Sequence, residues 1–459
     1  MKDKILHILE SKHFLLYILI YTVVAFIFNI IFSMTDSVVY PYFVCLFSVV
    51  YCIIGFLCLY FLKNTKNVLL MTFLFPFFHG TLSNKDINTL LALGPAVIMV
   101  VGLVLHHIKF KSKLKMTPMI PGAIVFWLGI CVGGFGVTQT ERCLADYQWY
   151  YTLIYVFVSA LIIYVMLVLS NDAEMTFIDY SKLLSFSGLF IVIQILLFMI
   201  VNAFVGTSSY FDDKMLKLGW GNANTTAIML LMMIPAAFYL ATKLDTLKER
   251  IFYHVIAYGM FIGLILTFSR IGCLVGVIEM IVCVIYSIWS STRKKESLIL
   301  HGIAAGTFII TVLGVFLVKS EIFWGICEQL SDIELGTFNG RKMFYEQFLL
   351  VYQENKIFGV GLIGSFQFVI DPEFTYNFCH SSIFQLMMVS GSFGLCALLY
   401  HWIEKYGRLI IKINKEKFIL ILCFLFPGLY GLVDATYLVP VYMVALLSSY
   451  CMVNDIFKD

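Results

Sequence analysis

Apolar runs of about twenty residues follow one another from Phe14 to Val453, separated by short polar connections and a single long one. A helix of that length crosses the hydrocarbon core of a bilayer. Backbone inside lipid must satisfy its own hydrogen bonds, so helices are what such runs can form. With 61% hydrophobic and 13% charged residues, the chain has too few polar side chains to coat a soluble particle. The reading is an all-α integral membrane protein of about fourteen transmembrane helices. Among the windows are Val68–Leu82, Ile87–His107, Met119–Thr138, Phe418–Val433 and Ala435–Val453. Met1 to Lys12 is short and basic, and Phe14–Ser33 is long enough to stay as a span, so no removable signal peptide is predicted.

Charge orients the spans. With the N-terminus inside, the inner connections hold Lys63 and Lys66, then Lys109, Lys111, Lys113 and Lys115, then Lys182. Further along they hold Lys243 to Arg250, Arg293 to Lys295, and Lys405 to Lys417. This arrangement leaves 22 of the 31 lysines and arginines inside, a clear positive-inside bias. It predicts a multi-pass membrane protein with both termini cytoplasmic. It also predicts two parts of a membrane bundle, 1–318 and 381–459, joined by one large extracytoplasmic loop, 319–380.

Twelve cysteines lie mostly inside apolar windows, and no Cys-x-x-Cys occurs, so neither a metal nor a redox site is predicted. The topology sorts the histidines. His7 and His13 are cytoplasmic, and His106, His107, His254, His301 and His401 fall at inner span ends as snorkelling tips. His79 and His380 fall near the outer face. His380 closes the long loop beside Asn377, Ser381 and Ser382, with Asp371 and Glu373 a few residues before it. An imidazole oriented by a carboxylate or amide is the group that takes a proton from a hydroxyl near neutral pH.

Within the loop, Asn339 is a candidate N-cap for an amphipathic helix over Phe344 to Asn355. Its apolar face is Phe344, Phe348, Val351 and Tyr352, and it lies on the membrane or on the bundle. Arg341 occupies the first turn of that helix, where the helix dipole disfavours a cation unless an anion is bound there. Gly359, Gly361 and Gly364 form a turn that returns the chain to His380. Arg270 stands in the very short connection Thr267-Phe268-Ser269-Arg270. An outer arginine there suits a phosphate, which guanidinium binds in a bidentate fork. Glu279 is one acid deep in a span, about half a turn around the helix from Arg270, and receives no role.

These motifs taken in order, Ser269-Arg270-Ile271-Gly272, Gly340-Arg341, Gly359-Val360-Gly361 and then His380, resemble the O-antigen ligase and O-antigen polymerase superfamily. The stretch Gly221-Asn222-Ala223-Asn224, entering a span that contains Pro235, is similar to another of its patterns. The resemblance covers Lys217 to His401. It implies a GT-C-like multi-span glycosyltransferase that uses no metal or other cofactor. Such an enzyme takes a glycan from undecaprenyl diphosphate at the outer leaflet and joins it to an acceptor hydroxyl. His380 matches the base, Arg270 and Arg341 match the diphosphate-binding arginines, and Asn224 falls in a substrate-binding position. Many relatives have asparagine directly after the histidine, where this chain has Ser381.

The implied partners are the lipid-linked oligosaccharide, membrane lipid and other membrane proteins of polysaccharide assembly, such as a flippase and a chain-length regulator. Nucleic acid is not among them. A repeat-unit polymerase making O-antigen or capsule is the favoured reading, with a ligase transferring glycan to a lipid or wall acceptor beside it. From another class stands a lipid-linked oligosaccharide flippase. Transporters commonly show internal repeats and polar broken helices at the midplane, and this sequence has neither pattern.

Overall fold

The computed structural model describes residues 2–11, 13–34, 40–79, 94–114, 116–137, 148–205, 216–318, 345–346, 348–361 and 380–457. The first half comprises α1 (Lys2–Leu9), α2 (Phe14–Met34), α3 (Tyr40–Phe61), α4 (Lys66–Leu74), α5 (Ala96–Phe110), α6 (Ile120–Val137), α7 (Gln148–Asn171) and α8 (Phe177–Val205). A small antiparallel hairpin, β1 (Lys217–Leu218) with β2 (Gly221–Asn222), introduces the second half. There follow α9 (Ala223–Lys243), α10 (Leu247–Leu266), α11 (Arg270–Ser290), α12 (Lys294–Val318), α13 (Ser382–Ile410), α14 (Lys415–Tyr430) and α15 (Pro440–Met452).

Among the described residues, α2, α3, α7, α8, α9, α10, α11 and α13 are long and apolar enough to cross a membrane, and four further apolar helices are shorter. The protein is a multi-pass membrane protein. Every one of the fourteen predicted windows overlaps a helix, but several helices are shorter than their windows. Pro76 cannot donate to the preceding turn, and α4 passes at Phe75 into a 3-10 turn, Phe75–His79. The window Ala435–Val453 shrinks to α15, because residues 431–439 are drawn into a turn that includes the short 3-10 segment Thr436–Leu438.

The bundle is built around α9. A helix apolar on every side has no face to show to water, and every side chain from Thr225 to Ala241 is buried. It packs on α8, α10, α11 and α14. On the periphery the pattern reverses. Ile281 and Ile285 of α11, with Ile303 and Ile310 of α12, are more than half exposed, as lipid-facing side chains are.

Helices α6 and α13 pack unusually close along Gly129 and Gly133. A Cβ on Gly129 would strike Ala397, and one on Gly133 would strike the Val389 carbonyl. This is the small-residue spacing that lets membrane helices approach without a hydrophobic drive between them.

Four of the five histidines expected to snorkel are buried and bonded instead, and His107 stays half-buried. His106 sets Nδ1 against Leu59 O at 2.8 Å and Nε2 against Asp172 at 3.2 Å. His254 faces Arg250 O, His301 lies between Tyr258 and Ser287, and His401 meets Tyr450. Hydroxyls, backbone carbonyls and one carboxylate take the place of water there.

Candidate active site

Five helix ends converge at one end of the bundle: the starts of α9, α11 and α13 and the ends of α10 and α14. Asn222 caps α9 by accepting from Thr225 N at 3.0 Å, which sets Asn224 in the first turn. Behind the hairpin, Gln194 of α8 accepts from Trp220 Nε1 at 2.9 Å and donates to Phe77 O at 2.9 Å, fixing the entry of α9.

The connection from α10 to α11 has three residues, Thr267, Phe268 and Ser269. Phe268 takes φ = 54°, a left-handed conformation that a bulky residue adopts only when its surroundings impose it. Thr267 Oγ1 donates to Leu264 O at 2.7 Å and accepts from Ser269 N at 3.2 Å. The turn aims Ser269 Oγ at two partners, Asn224 Oδ1 at 3.1 Å and the Tyr430 hydroxyl at 2.9 Å. Arg270 then begins α11, partly exposed beside this pair.

Tyr430 closes α14, and its hydroxyl reaches Asp434 Oδ2 at 3.4 Å. The other oxygen, Oδ1, accepts from Ala435 N at 2.8 Å and lies 3.7 Å from His380 Nδ1. The polar line therefore runs from Asn224 through Ser269, Tyr430 and Asp434 to His380. The imidazole is 40% exposed and the carboxylate 17%, so His380 meets the outside and Asp434 backs it. Ser382 holds the turn that carries Asp434, through Ser382 N to Gly431 O at 2.8 Å and Oγ to Asp434 O at 3.0 Å. Ser381, directly after the histidine, is buried and extended and makes no side-chain cap.

The end of the long loop docks beside the site. Helical residues 348–354 bury Phe348 and Val351 against Met388 of α13 and Val360, with Tyr345 and Phe384 packed at the edge. The amphipathic face thus rests on the bundle. Tyr345 donates to the His380 carbonyl at 3.0 Å.

Helix α13 breaks at Gly391 (φ = 59°), freeing carbonyls and an amide that the loop satisfies. Val360 N and Gly361 N donate to Met388 O and Val389 O, and Ser392 N donates to Lys356 O, each at 2.8 Å. Gly359 and Gly361 both take positive φ to run along this break. The described part of the glycine-rich turn, Gly359 to Gly361, therefore lies along the helix at residues 388–392.

Of the residues singled out in the sequence, the structure brings Asn224, Ser269-Arg270 and His380 together. Arg341, Asn339, Asp371, Glu373, Asn377 and Gly364 lie outside the described residues. Glu279 is fully buried in α11, and neither carboxylate oxygen meets a hydrogen-bond partner among the described residues. Sequence reasoning missed Asp434 and Tyr430. The available signal was a lone carboxylate, Asp434, between the last two apolar windows, which reads there as an ordinary connection. Among the described residues no three His, Cys, Asp or Glu side chains cluster as a metal site.

No curated protein matches this chain. Residues 255–399 match a family model described as O-Antigen ligase. That stretch contains Ser269, Arg270, Arg341 and His380; Asn224 precedes it, and Tyr430 and Asp434 follow it. The match covers the part of the chain that carries these motifs and supports its resemblance to the O-antigen ligase and O-antigen polymerase superfamily.

Proposed function

We propose that this protein is a glycosyltransferase that joins undecaprenyl-diphosphate-linked oligosaccharide units at the outer leaflet of the cytoplasmic membrane, acting as a repeat-unit polymerase. The observation that carries the proposal is the pairing of His380 with Asp434 at the site that also gathers Asn224, Ser269 and Arg270. Asp434 faces Nδ1 and favours the tautomer with the proton there, which leaves Nε2 as the base. His380 takes the proton from the acceptor hydroxyl while its oxygen forms a bond to the anomeric carbon of the donor. The bond from that carbon to the diphosphate oxygen breaks, and the diphosphate leaves with the electron pair. Arg270, with Arg341, balances the charge that develops on it. A lipid diphosphate is already a good leaving group, so these residues supply what the reaction needs.

The match to a family model described as O-Antigen ligase supports a second reading of the same chemistry, in which the acceptor is a lipid or wall component. The acceptor separates the two. Purified protein given the lipid-linked oligosaccharide alone lengthens the glycan if it is a polymerase and leaves it unchanged if it is a ligase. In the active assay His380→Ala lowers the rate about a hundred- to ten-thousandfold, the usual share of a general base. Equal product from wild type and variant would remove His380 from the mechanism. A flippase would instead retain lipid translocation in the variant and show no transfer in either protein.

A further inference from the structure

At the end of the bundle away from His380, α11 and α14 part around a groove of about 490 Å³, within the roughly 300–1,000 Å³ of small-ligand sites. Its floor is a single stripe of α11, Val282, Ile285, Tyr286 and Trp289, at the spacing of one helix face. Phe418 of α14 and Ile413 just before it form the opposite wall. The Tyr286 and Phe418 rings stack with centroids 5.4 Å apart and close the back. Ile285 and Trp289 remain 62% and 69% exposed, so the groove opens sideways.

The mouth of this apolar groove is cationic. Lys415 reaches across it and donates to Ser290 O at 2.7 Å, and an ammonium so held keeps two further donors. Lys294, Lys295 and Lys412 are exposed within a few residues of that contact, as is Arg293, which also bonds Asp245 O at 3.4 Å. The nearby carboxylates are engaged elsewhere. Glu296 pairs with Arg250 at 2.5 Å and reaches Arg293 only at 4.0 Å, and Glu416 accepts from the Tyr239 hydroxyl at 2.8 Å, which leaves the three lysines and Lys415 as the excess. An apolar slot ending in an excess of cations complements an amphiphile with an anionic head.

We propose that this groove binds an anionic glycerophospholipid, with an acyl chain along the α11 stripe under Trp289 and the phosphate at Lys415. The site lies at the other end of the helices from His380 and does not depend on which reaction occurs there. Basic residues at a membrane surface favour anionic over zwitterionic lipid, each by about fivefold.

Trp289 is a built-in reporter. Full-length protein in a neutral detergent is titrated with dibrominated phosphatidylglycerol or dibrominated phosphatidylcholine. Subtracting the emission of Trp289→Phe isolates quenching at the groove. Phosphatidylglycerol should quench this component at a mole fraction at least about fivefold lower than phosphatidylcholine. The double variant Lys412→Gln/Lys415→Gln should lose the preference. Because Lys415 also ties α14 to α11, Lys295→Gln/Lys412→Gln, both exposed positions, should weaken it in the same direction. Equal quenching by the two lipids would mean annular contact only and overturn the proposal. A phosphatidylglycerol preference that survives both double variants would overturn it as well.

Discussion

Asp434 makes three contacts at once, to the Ala435 amide, the Tyr430 hydroxyl and the imidazole of His380. Asn at this position keeps the shape but replaces one acceptor oxygen with a donor and removes the negative charge facing Nδ1. Asp434→Asn should therefore reduce transfer roughly ten- to a hundredfold, because a carboxylate about 4 Å from the imidazolium formed in the reaction stabilises it by about 1–4 kcal/mol. Donor binding, measured separately, should stay near wild type. Activity equal to wild type in a properly folded variant would place the orienting group elsewhere. Arg270→Lys tests the other side of the site. An ammonium cannot reproduce the planar fork, so use of the lipid-diphosphate donor should weaken by a similar roughly ten- to hundredfold. An unchanged dependence of rate on donor concentration would move the diphosphate away from Arg270. His380 and Arg270 stand out in the sequence because each breaks a local expectation: a histidine closing a long polar loop, and an arginine in a tight turn. Asp434 and Tyr430 break none, and only their convergence in space draws them to the candidate site.

The break in α13 at Gly391 shows how one element is shaped by another. A Cβ at Gly391 would strike the Ile357 carbonyl, and its φ of 59° lies in the region that favours glycine. Gly391→Ala should strain the helix by about 1–3 kcal/mol and push residues 356–361 off the freed carbonyls. Limited proteolysis should then cut near residues 348–361 faster than in wild type, while the rest of the bundle resists. Unchanged cleavage there would mean that the loop is held by the Phe348–Met388 contacts alone. Element positions were largely readable from hydropathy because membrane helices are defined by the length of their apolar runs. Lengths were less so. Phe75–His79 and residues 431–439 are apolar enough to pass as span, yet a proline at one and the demands of Asp434 and Ser382 at the other take them out of α-helix.

At the scale of the whole molecule, the contacts sort the connections into two ends without reference to charge. Lys66 pairs with Asp179 at 2.8 Å, Thr65 bonds Leu169 O, and His106 and Ser112 both meet Asp172. Asn454 then reaches Ser170 O at 3.0 Å, and Lys417 lies over the Phe457 ring, which brings residues 454–457 to the same end. These are the connections that the lysine distribution assigns to the cytoplasm. Asn224, Ser269, Tyr430, Asp434 and His380 gather at the opposite helix ends. Geometry and charge therefore make one joint prediction about a bilayer: the site end faces outward and the lysine end inward. Single cysteines introduced across Ser331–Phe338, in a protein cleared of reactive native cysteines, should react with an impermeant maleimide added to intact cells. Cysteines across Lys109–Lys115 should react only after the membrane is opened. The first set tests the side of the long loop and the second the side of the lysine end. Both must come out as stated for a lipid-linked donor at the outer leaflet to reach His380. Labelling of Lys109–Lys115 from outside would invert the protein, and the site would then face the cytoplasm, where the proposed reaction has no place.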